Sequence, residues 1–412
     1  MSRRHLERLL CVVATAVTFS CGSSTGNGDD STNPSLSGGA FPNRRATFEA
    51  SGRRLGYVPN RNSDTVSVLD LDAMQLLASV PVGRDPVDID GPRHLVIDAA
   101  NGLAYVALSY PFSITSAHAV AQGATLRSGY VQALNLLDLS IAGDLRVDPK
   151  AADVAFSPAS GRLAVAHADD SRSLQGDIEA RRANLVFVDP ASAIAQGNAV
   201  ASRLPACAVP STLAFDGEGA RLFVACTGED SLVVVDAATQ TVLSRGPSGP
   251  TVAGDPAASF NKPYGLVVDT AHERLLVSNQ VSRTVAVFDL SDTPQLLFSH
   301  RFVGLMDTTD FGVPMFSAMI SDSTLAVPFQ SPNGAGLIDV TSGEQGLKVQ
   351  YSDEECMNPA EFTVTGDSRL FLVCEGDHYH PGAVVQVDPD TLAILGSISV
   401  ELYPERMTIV EP

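Results

Sequence analysis

One pattern recurs along this chain roughly every 40 to 60 residues: a proline, an apolar stretch, a polar turn, a Leu-x-Val unit, a polar gap and a Val-x-Val-x-Asp unit. The clearest copies pair Leu55 to Asn60 with Thr65 to Asp70, Leu222 to Cys226 with Leu232 to Asp236, Leu275 to Asn279 with Thr284 to Asp289, and Leu370 to Cys374 with Val384 to Asp388. Weaker copies begin near Leu103, Leu163 and Leu325, which brings the number to seven. Each copy is rich in β-branched residues and broken at short intervals by Gly, Asp, Asn or Pro, so it reads as four short antiparallel strands. Strands that are apolar on successive residues need both faces covered. A small twisted sheet achieves that by packing between two neighbours in a ring, which makes each copy a blade of an all-β, seven-bladed β-propeller.

Tyr57-Val58-Pro59-Asn60, followed by Thr65 to Asp70 and by Val80-Pro81-Val82-Gly83, resembles the YVTN-type β-propeller repeat, with Pro59 in place of that motif's Thr. The resemblance covers residues 45–412 and implies the propeller fold. Members of that family include surface proteins, binding modules and relatives of enzymes, so fold does not fix chemistry. Pro404 to Val410 reads as an inner strand with no blade of its own, while the inner strand of the first blade is poorly marked near Arg45 to Phe48. The C-terminal strand is therefore expected to complete the first blade and remove the open edges.

The address of the chain is written at its start. Arg3, Arg4 and Arg8 precede an apolar run from Leu9 to Phe19, then Ser20 and Cys21, which is an export signal over residues 1–20. Thr18-Phe19-Ser20-Cys21 resembles a bacterial lipobox, which implies lipidation of Cys21. Residues 21–44, rich in Gly, Ser, Asn and Asp, read as a flexible tether before the propeller at 45–412. The expected location is the bacterial cell envelope, lipid-anchored, and Gly22 is compatible with the outer membrane. With 47 acidic against 27 basic residues and a net charge of −20, the chain has no basic stripe to hold a phosphate backbone, which excludes nucleic acid.

Of six cysteines, Cys11 falls in the signal and Cys21 at its end, leaving four. Cys207 precedes Thr212 by five positions as Cys356 precedes Glu361, and Cys226 and Cys374 stand four beyond Leu222 and Leu370. Matched offsets in an oxidising compartment predict disulfides Cys207–Cys226 and Cys356–Cys374, each expected to lie within one blade.

Short turns are expected on one face of the ring. The longer connections, 110–128, 168–182, 246–262, 303–313 and 375–381, are expected on the other, which is the expected recognition surface. Aligned inner strands put Arg406, His94, Asp153, Thr212, Gly265, Phe316 and Glu361 near the central channel. His94, Asp153, Glu361 and Arg406 fall on neighbouring blades. They could hold a divalent metal, Ca or Zn, or do acid–base work beside an Arg; equally, they could neutralise one another across a wet channel. His378 and His380 form a His-x-His metal signal that needs a third ligand such as His118, His167 or Asp169, and Asp169, Asp170, Asp177 and Glu179 form an acidic loop that could take calcium. Two functions follow: a membrane-tethered binding or scaffold module for an envelope protein, glycan or peptide, or a lactonase-like, metal-dependent hydrolase.

Overall fold

The computed structural model describes residues 48, 52–84, 89–109, 129–168, 177, 181–196, 200–246, 260–301 and 312–412. The expected signal, Cys21 and the tether lie outside the described residues.

Seven antiparallel sheets follow one another around the ring. Blade 2 spans 92–147, blade 3 151–208, blade 4 210–245, blade 5 263–301, blade 6 313–350 and blade 7 359–402. Blade 1 joins both ends of the ring, as the repeat count predicts. Its outer three strands are Leu55–Asn60, Thr65–Asp70 and Gln75–Pro81, and its inner strand is Thr408–Val410, with Leu55 opposite Val410 and Tyr57 opposite Thr408. Blade 6 differs from the rest: its inner strand is broken into Val313–Pro314 and Ala318–Met319, and between them Phe316 bridges to Glu361 of blade 7.

The apolar side chains sort into seven buried clusters, one between each pair of neighbouring blades. Alternation along a strand decides which neighbour each residue meets. In Arg221–Cys226, Leu222 and Val224 pack toward blade 3 while Phe223 packs toward blade 5. In Arg274–Asn279, Leu275 and Val277 face blade 4 and Leu276 faces blade 6. At about 1.5–3 kcal/mol per large apolar side chain, neither face of a blade can be left uncovered.

Polar residues of the repeat close its turns. The Asp that ends the third strand accepts backbone N–H groups of the following turn: Asp236 from Thr239 at 2.7 Å, Asp339 from Ser342 at 2.8 Å and Asp388 from Thr391 at 2.8 Å. The buried Asn60 amide donates to Ser67 Oγ at 2.9 Å, tying second strand to third, and Asn279 donates likewise to Thr284 Oγ1 at 3.3 Å. On the same short-turn face, blade 3 carries a helix, Pro190–Gln196, that the repeat pattern does not announce. Pro190 fits a first helical position, Asp189 accepts from the Ser192 N–H at 3.3 Å, and Ala193 and Ile194 cover the seam between blades 2 and 3.

By strand order, connections 110–128, 168–182 and 375–381 join second strands to third, and 246–262 and 303–313 join one blade to the next, so all leave the same face. Residues 110–128, 169–176, 178–180, 247–259 and 302–311 within them lie outside the described residues, as do His118, Asp169, Asp170 and Glu179. Among the described residues no helix is long and apolar enough to cross a membrane.

Both expected disulfides are present, closing separations of 19 and 18 residues. Their placement corrects the expectation of bonds within single blades. Cys207 lies in the outer strand of blade 3, Val200–Ala208, and Cys226 ends the second strand of blade 4; Cys356 ends a short helix, Asp353–Cys356, that leads into blade 7, and Cys374 ends that blade's second strand. The chain arriving from one blade passes beside the second strand of the next, so the first bond ties the outer strand of blade 3 to blade 4 and the second ties the helix before blade 7 to that blade. A loop of this length is worth about 3 kcal/mol.

Deleting residues 403–412 removes the inner strand of blade 1 and reopens the ring. Thermal unfolding should show a Tm lower by about 10 °C or more, and an unchanged melt would contradict closure by this strand.

Candidate functional site

Each inner strand begins at the loop-rich face in a repeated way. Proline opens it in six blades, at positions 92, 210, 263, 314, 359 and 404. The residue before the first inner-strand position is left-handed at Gly91, Lys150, Val209, Lys262, Asn358 and Tyr403, with φ between 50° and 66°. Five blades then slip register within the next residues, between Pro92 and Leu95, Ala151 and Asp153, Pro210 and Thr212, Pro263 and Gly265, and Pro359 and Glu361. A bulge turns two consecutive side chains toward one side, so the channel mouth is lined by two rows of residues.

One row contains the residues expected from the alignment, and the structure brings the four ionisable ones together. Arg406 sits at the centre: its Nε donates to Glu361 Oε1 at 2.8 Å and its Nη1 to Asp153 Oδ1 at 3.1 Å. His94 Nδ1 lies 2.5 Å from the same Asp153 oxygen. Backbone groups take the remaining oxygens, with Leu213 N–H donating to Asp153 Oδ2 at 2.8 Å and Met407 N–H to Glu361 Oε2 at 2.5 Å. Both carboxylates are buried, at 2% and 6% exposure. Burial pushes the Asp153 carboxyl up, but His94 and Arg406 outweigh it and hold the group below the ordinary aspartate value. Thr212, Gly265 and Phe316 complete the row. At Gly265 a Cβ would stand 2.7 Å from the Met315 carbonyl oxygen, and the Phe316 ring lies under the Arg406 guanidinium at 4.5 Å.

The other row was missed by sequence reasoning. Tyr264 of blade 5 spans the channel: its hydroxyl donates to Glu405 Oε1 at 2.7 Å and accepts from Arg93 Nη2 at 3.3 Å, on blades 1 and 2. Arg93 Nη2 also donates to Glu405 Oε1 at 3.1 Å, and Arg61 stands 3.9 Å from Glu405 while donating to the Tyr403 hydroxyl at 3.3 Å. Burial pushes Glu405 up, yet Arg93 and Arg61 bring it down to about 2. Burial, reinforced by Glu405, drives the Tyr264 phenol well above its ordinary value. The signal was present: each of Arg93, Tyr264 and Glu405 directly follows the repeating proline, and in blades 2 and 5 a bulge follows that proline. Arg93, Ser211 and Glu405 join His94, Asp153, Phe316 and Arg406 around one small pocket at the channel mouth, with room for about one water.

His378 and His380 stand apart from this cluster and from each other. His378 Nε2 lies 3.0 Å from Glu375 Oε2, with its ring stacked on Tyr403 at 3.6 Å, whereas the exposed His380 pairs through Nδ1 with Asp377 at 2.7 Å. Of the third ligands considered, His167 is buried in blade 3 beside the Asn184 carbonyl. Among the described residues the one close grouping of three metal-type ligands is Cys207, Cys226 and Glu229, and its sulfurs are joined as a disulfide. At the channel mouth all four oxygens of Asp153 and Glu361 meet a donor, and the Arg406 guanidinium occupies the space between them. That donor set is neutralised internally and does not fit a divalent cation.

No protein-family model matches the chain, and neither does any curated protein. Solved structures do match. The periplasmic gluconolactonase of Pseudomonas aeruginosa aligns with 14% identity and a TM-score of 0.60, covering 87% of this chain and 99% of that one. A candidate 6-phosphogluconolactonase from Bacteroides fragilis aligns with 11% identity and a TM-score of 0.57, over 89% and 100% of the two chains. A protein from Lactobacillus plantarum aligns with 14% identity and a TM-score of 0.59, over 87% and 99%. At these identities the likeness is one of fold: the chain shares a β-propeller scaffold with these proteins.

Glu405 gives the mouth a calculable pH dependence. A carboxyl lowered from 4.5 to about 2 contributes stability that is complete above its unfolded value and lost as pH falls through the folded one, on the order of 3 kcal/mol. Glu405→Gln should therefore be less stable than wild type by about that amount at pH 7 in denaturant titration, with the gap closing between about pH 4.5 and 2. A gap that stays constant with pH would show that Glu405 is not the ionised partner of Arg93.

Proposed function

We propose that this chain is an exported, lipid-anchored propeller of the bacterial cell envelope, a YVTN-type repeat protein that acts as a binding or scaffold module through its loop-rich face. One observation carries the reading: by strand order the connections 110–128, 168–182, 246–262, 303–313 and 375–381 all leave the same face of the ring, the face on which the inner strands begin. A rigid scaffold with its elaborated loops gathered on one side is the usual arrangement for recognition. Two disulfides fit an oxidising compartment, and the net charge of −20 keeps the body off anionic lipid and nucleic acid. The partner is an envelope protein, glycan or peptide, and membrane attachment is through Cys21.

A second reading, a lactonase-like hydrolase, is favoured by one feature of the mouth. His94 is oriented by Asp153 through Nδ1, and among the described residues no protein group takes its Nε2. The propeller's likeness to a gluconolactonase is compatible with that reading.

Two measurements test the primary reading. Cys21→Ser should move the protein from the membrane to the soluble envelope fraction and abolish palmitate labelling; equal partitioning of both forms would refute the anchor. A photo-crosslinker at the exposed Tyr379 on the loop-rich face should yield a discrete adduct in intact cells, and one at Ala159 on the opposite face should not. Equal labelling from both faces would count against a recognition surface.

A further inference from the structure

The ring leaves one set of apolar side chains uncovered. Among the described residues nine large apolar side chains are exposed, and six of them stand in the hairpin that joins a third strand to an outer strand: Leu76, Leu137, Leu243, Leu297, Leu347 and Leu395, one in each blade except blade 3. These hairpins leave the short-turn face, so the leucines rim that face on the outside of the ring. Blade 3 has the helix Pro190–Gln196 in this place, and its Ala193 and Ile194 pack into the seam with blade 2.

The exposure has a local cause. In blades 4, 5 and 7 the outer strand holds one residue more than the third strand opposite it, and that extra residue is the leucine. Val234 and Val235 pair with Ser244 and Val242, Val287 and Phe288 with Phe298 and Leu296, and Gln386 and Val387 with Gly396 and Ile394. A bulge residue has no cross-strand partner and its side chain is re-aimed, here toward solvent at 41%, 55% and 61% exposure. Leu347 sits in the matching irregularity of blade 6, and Leu76 beside that of blade 1. Single exposed leucines need no account, whereas the same feature filled the same way in five consecutive blades does.

The charge around them is one-sided. From the Asp that ends each third strand to the leucine, segments 70–76, 236–243, 289–297, 339–347 and 388–395 each hold one or two carboxylates and no Lys, Arg or His. Backbone N–H groups of their own turns hold Asp236, Asp339 and Asp388 below the ordinary aspartate value, so these stay ionised. Of the cations on this face, Arg53, Arg54, Arg221 and Arg369 are paired with Asp70, Asp72, Asp216 and Asp72. Lys348, directly after Leu347, is the one basic neighbour in sequence.

We propose that the outer rim of the short-turn face, from blade 4 through blade 7 to blade 1, is a second interaction surface, which takes a basic polypeptide segment carrying apolar side chains. Charge complementarity selects the occupant. A second copy would set an equally acidic rim against this one, and an anionic bilayer is repelled in the same way. Leucines displayed between carboxylates match Lys or Arg interleaved with apolar residues, the leucines supplying burial and the charges supplying register and rate of approach. This surface lies opposite the long connections and does not depend on the reading of the loop-rich face. With both, the module holds two partners at once, as a scaffold requires.

The test uses the full chain with a synthetic Lys/Leu peptide as probe and Lys/Ser and Glu/Leu peptides as controls. In fluorescence anisotropy the Lys/Leu peptide should bind, more weakly as NaCl is raised, and both controls should bind about tenfold or more weakly. Hydrogen–deuterium exchange should show protection by the peptide in the outer strands Thr241–Arg245, Leu296–Arg301 and Ile394–Leu402, and none on the loop-rich face. Replacing Leu243, Leu297 and Leu395 together by Ser keeps the net charge, so melting should match wild type while affinity falls about tenfold or more. Equal affinity in the folded variant, or a footprint elsewhere, would overturn the proposal. Leucine-dependent flotation with phosphatidylcholine vesicles would overturn it in favour of a lipid surface, and leucine-dependent self-association in sedimentation velocity in favour of a second copy. A failed crosslink at Tyr379 bears on the loop-rich face alone, so the two readings fail separately.

Discussion

A four-stranded sheet whose strands are apolar on every residue has two faces to hide, and the fold follows from that constraint. Phe223 and Val224 are adjacent in sequence yet belong to different interblade clusters, so each blade is stable only between two others. An open row would leave two apolar faces and two strand edges in water. Seven clusters for seven blades means that no face is left over. The closing seam between blades 7 and 1 packs Val58, Leu69 and Leu71 against Phe371, Val373 and Val384, with Met407 among them.

The constraint also creates the channel and sets its contents. Seven inner strands converge on an axis too narrow for seven large side chains at one level. The bulges after the repeating prolines divide the mouth into two rows, and Gly265 yields its space to the backbone of blade 6. What remains is polar and buried, which is costly unless every group is paired. Arg406 answers to Glu361 and Asp153, and Arg93 to Glu405 and Tyr264. The same pairing that makes the mouth stable holds Arg406 and His94 in fixed positions, so preorganisation of the site comes with its neutralisation.

The architecture was legible because its causes are local and repeated. Leu-x-Val and Val-x-Val-x-Asp each correspond to one strand and one turn, and the surplus strand at Thr408–Val410 announced the closure. The row of His94, Asp153, Glu361 and Arg406 was legible for the same reason: alignment alone puts these four at one level. The row of Arg93, Tyr264 and Glu405 was not, because strict alternation sends a neighbouring residue to the other side, and only a bulge brings both inward. The cysteines show the same limit. Offsets identified both pairs, but the location of Cys207 in the outer strand of blade 3 depends on how far that strand extends, which no repeat unit records. The helix at Pro190–Gln196 lies outside the repeat and was invisible to it.

Closure and site are one event in this chain. The residues that complete blade 1 immediately follow Glu405 and Arg406, so the segment that seals the ring also delivers the cation for Asp153 and Glu361 and the anion for Arg93 and Arg61. Before the C-terminal strand docks, Asp153 and Glu361 lack Arg406, and Arg93 lacks its carboxylate. Such unpaired charges resist burial by several kcal/mol each, which disfavours the narrowed channel until the strand is in place. Docking is therefore driven from two sides, by apolar burial around Met407 and by charge pairing around Arg406. Any open ring that lacks this segment lacks the site as well, so a mouth able to bind or to catalyse is present only in a fully assembled propeller.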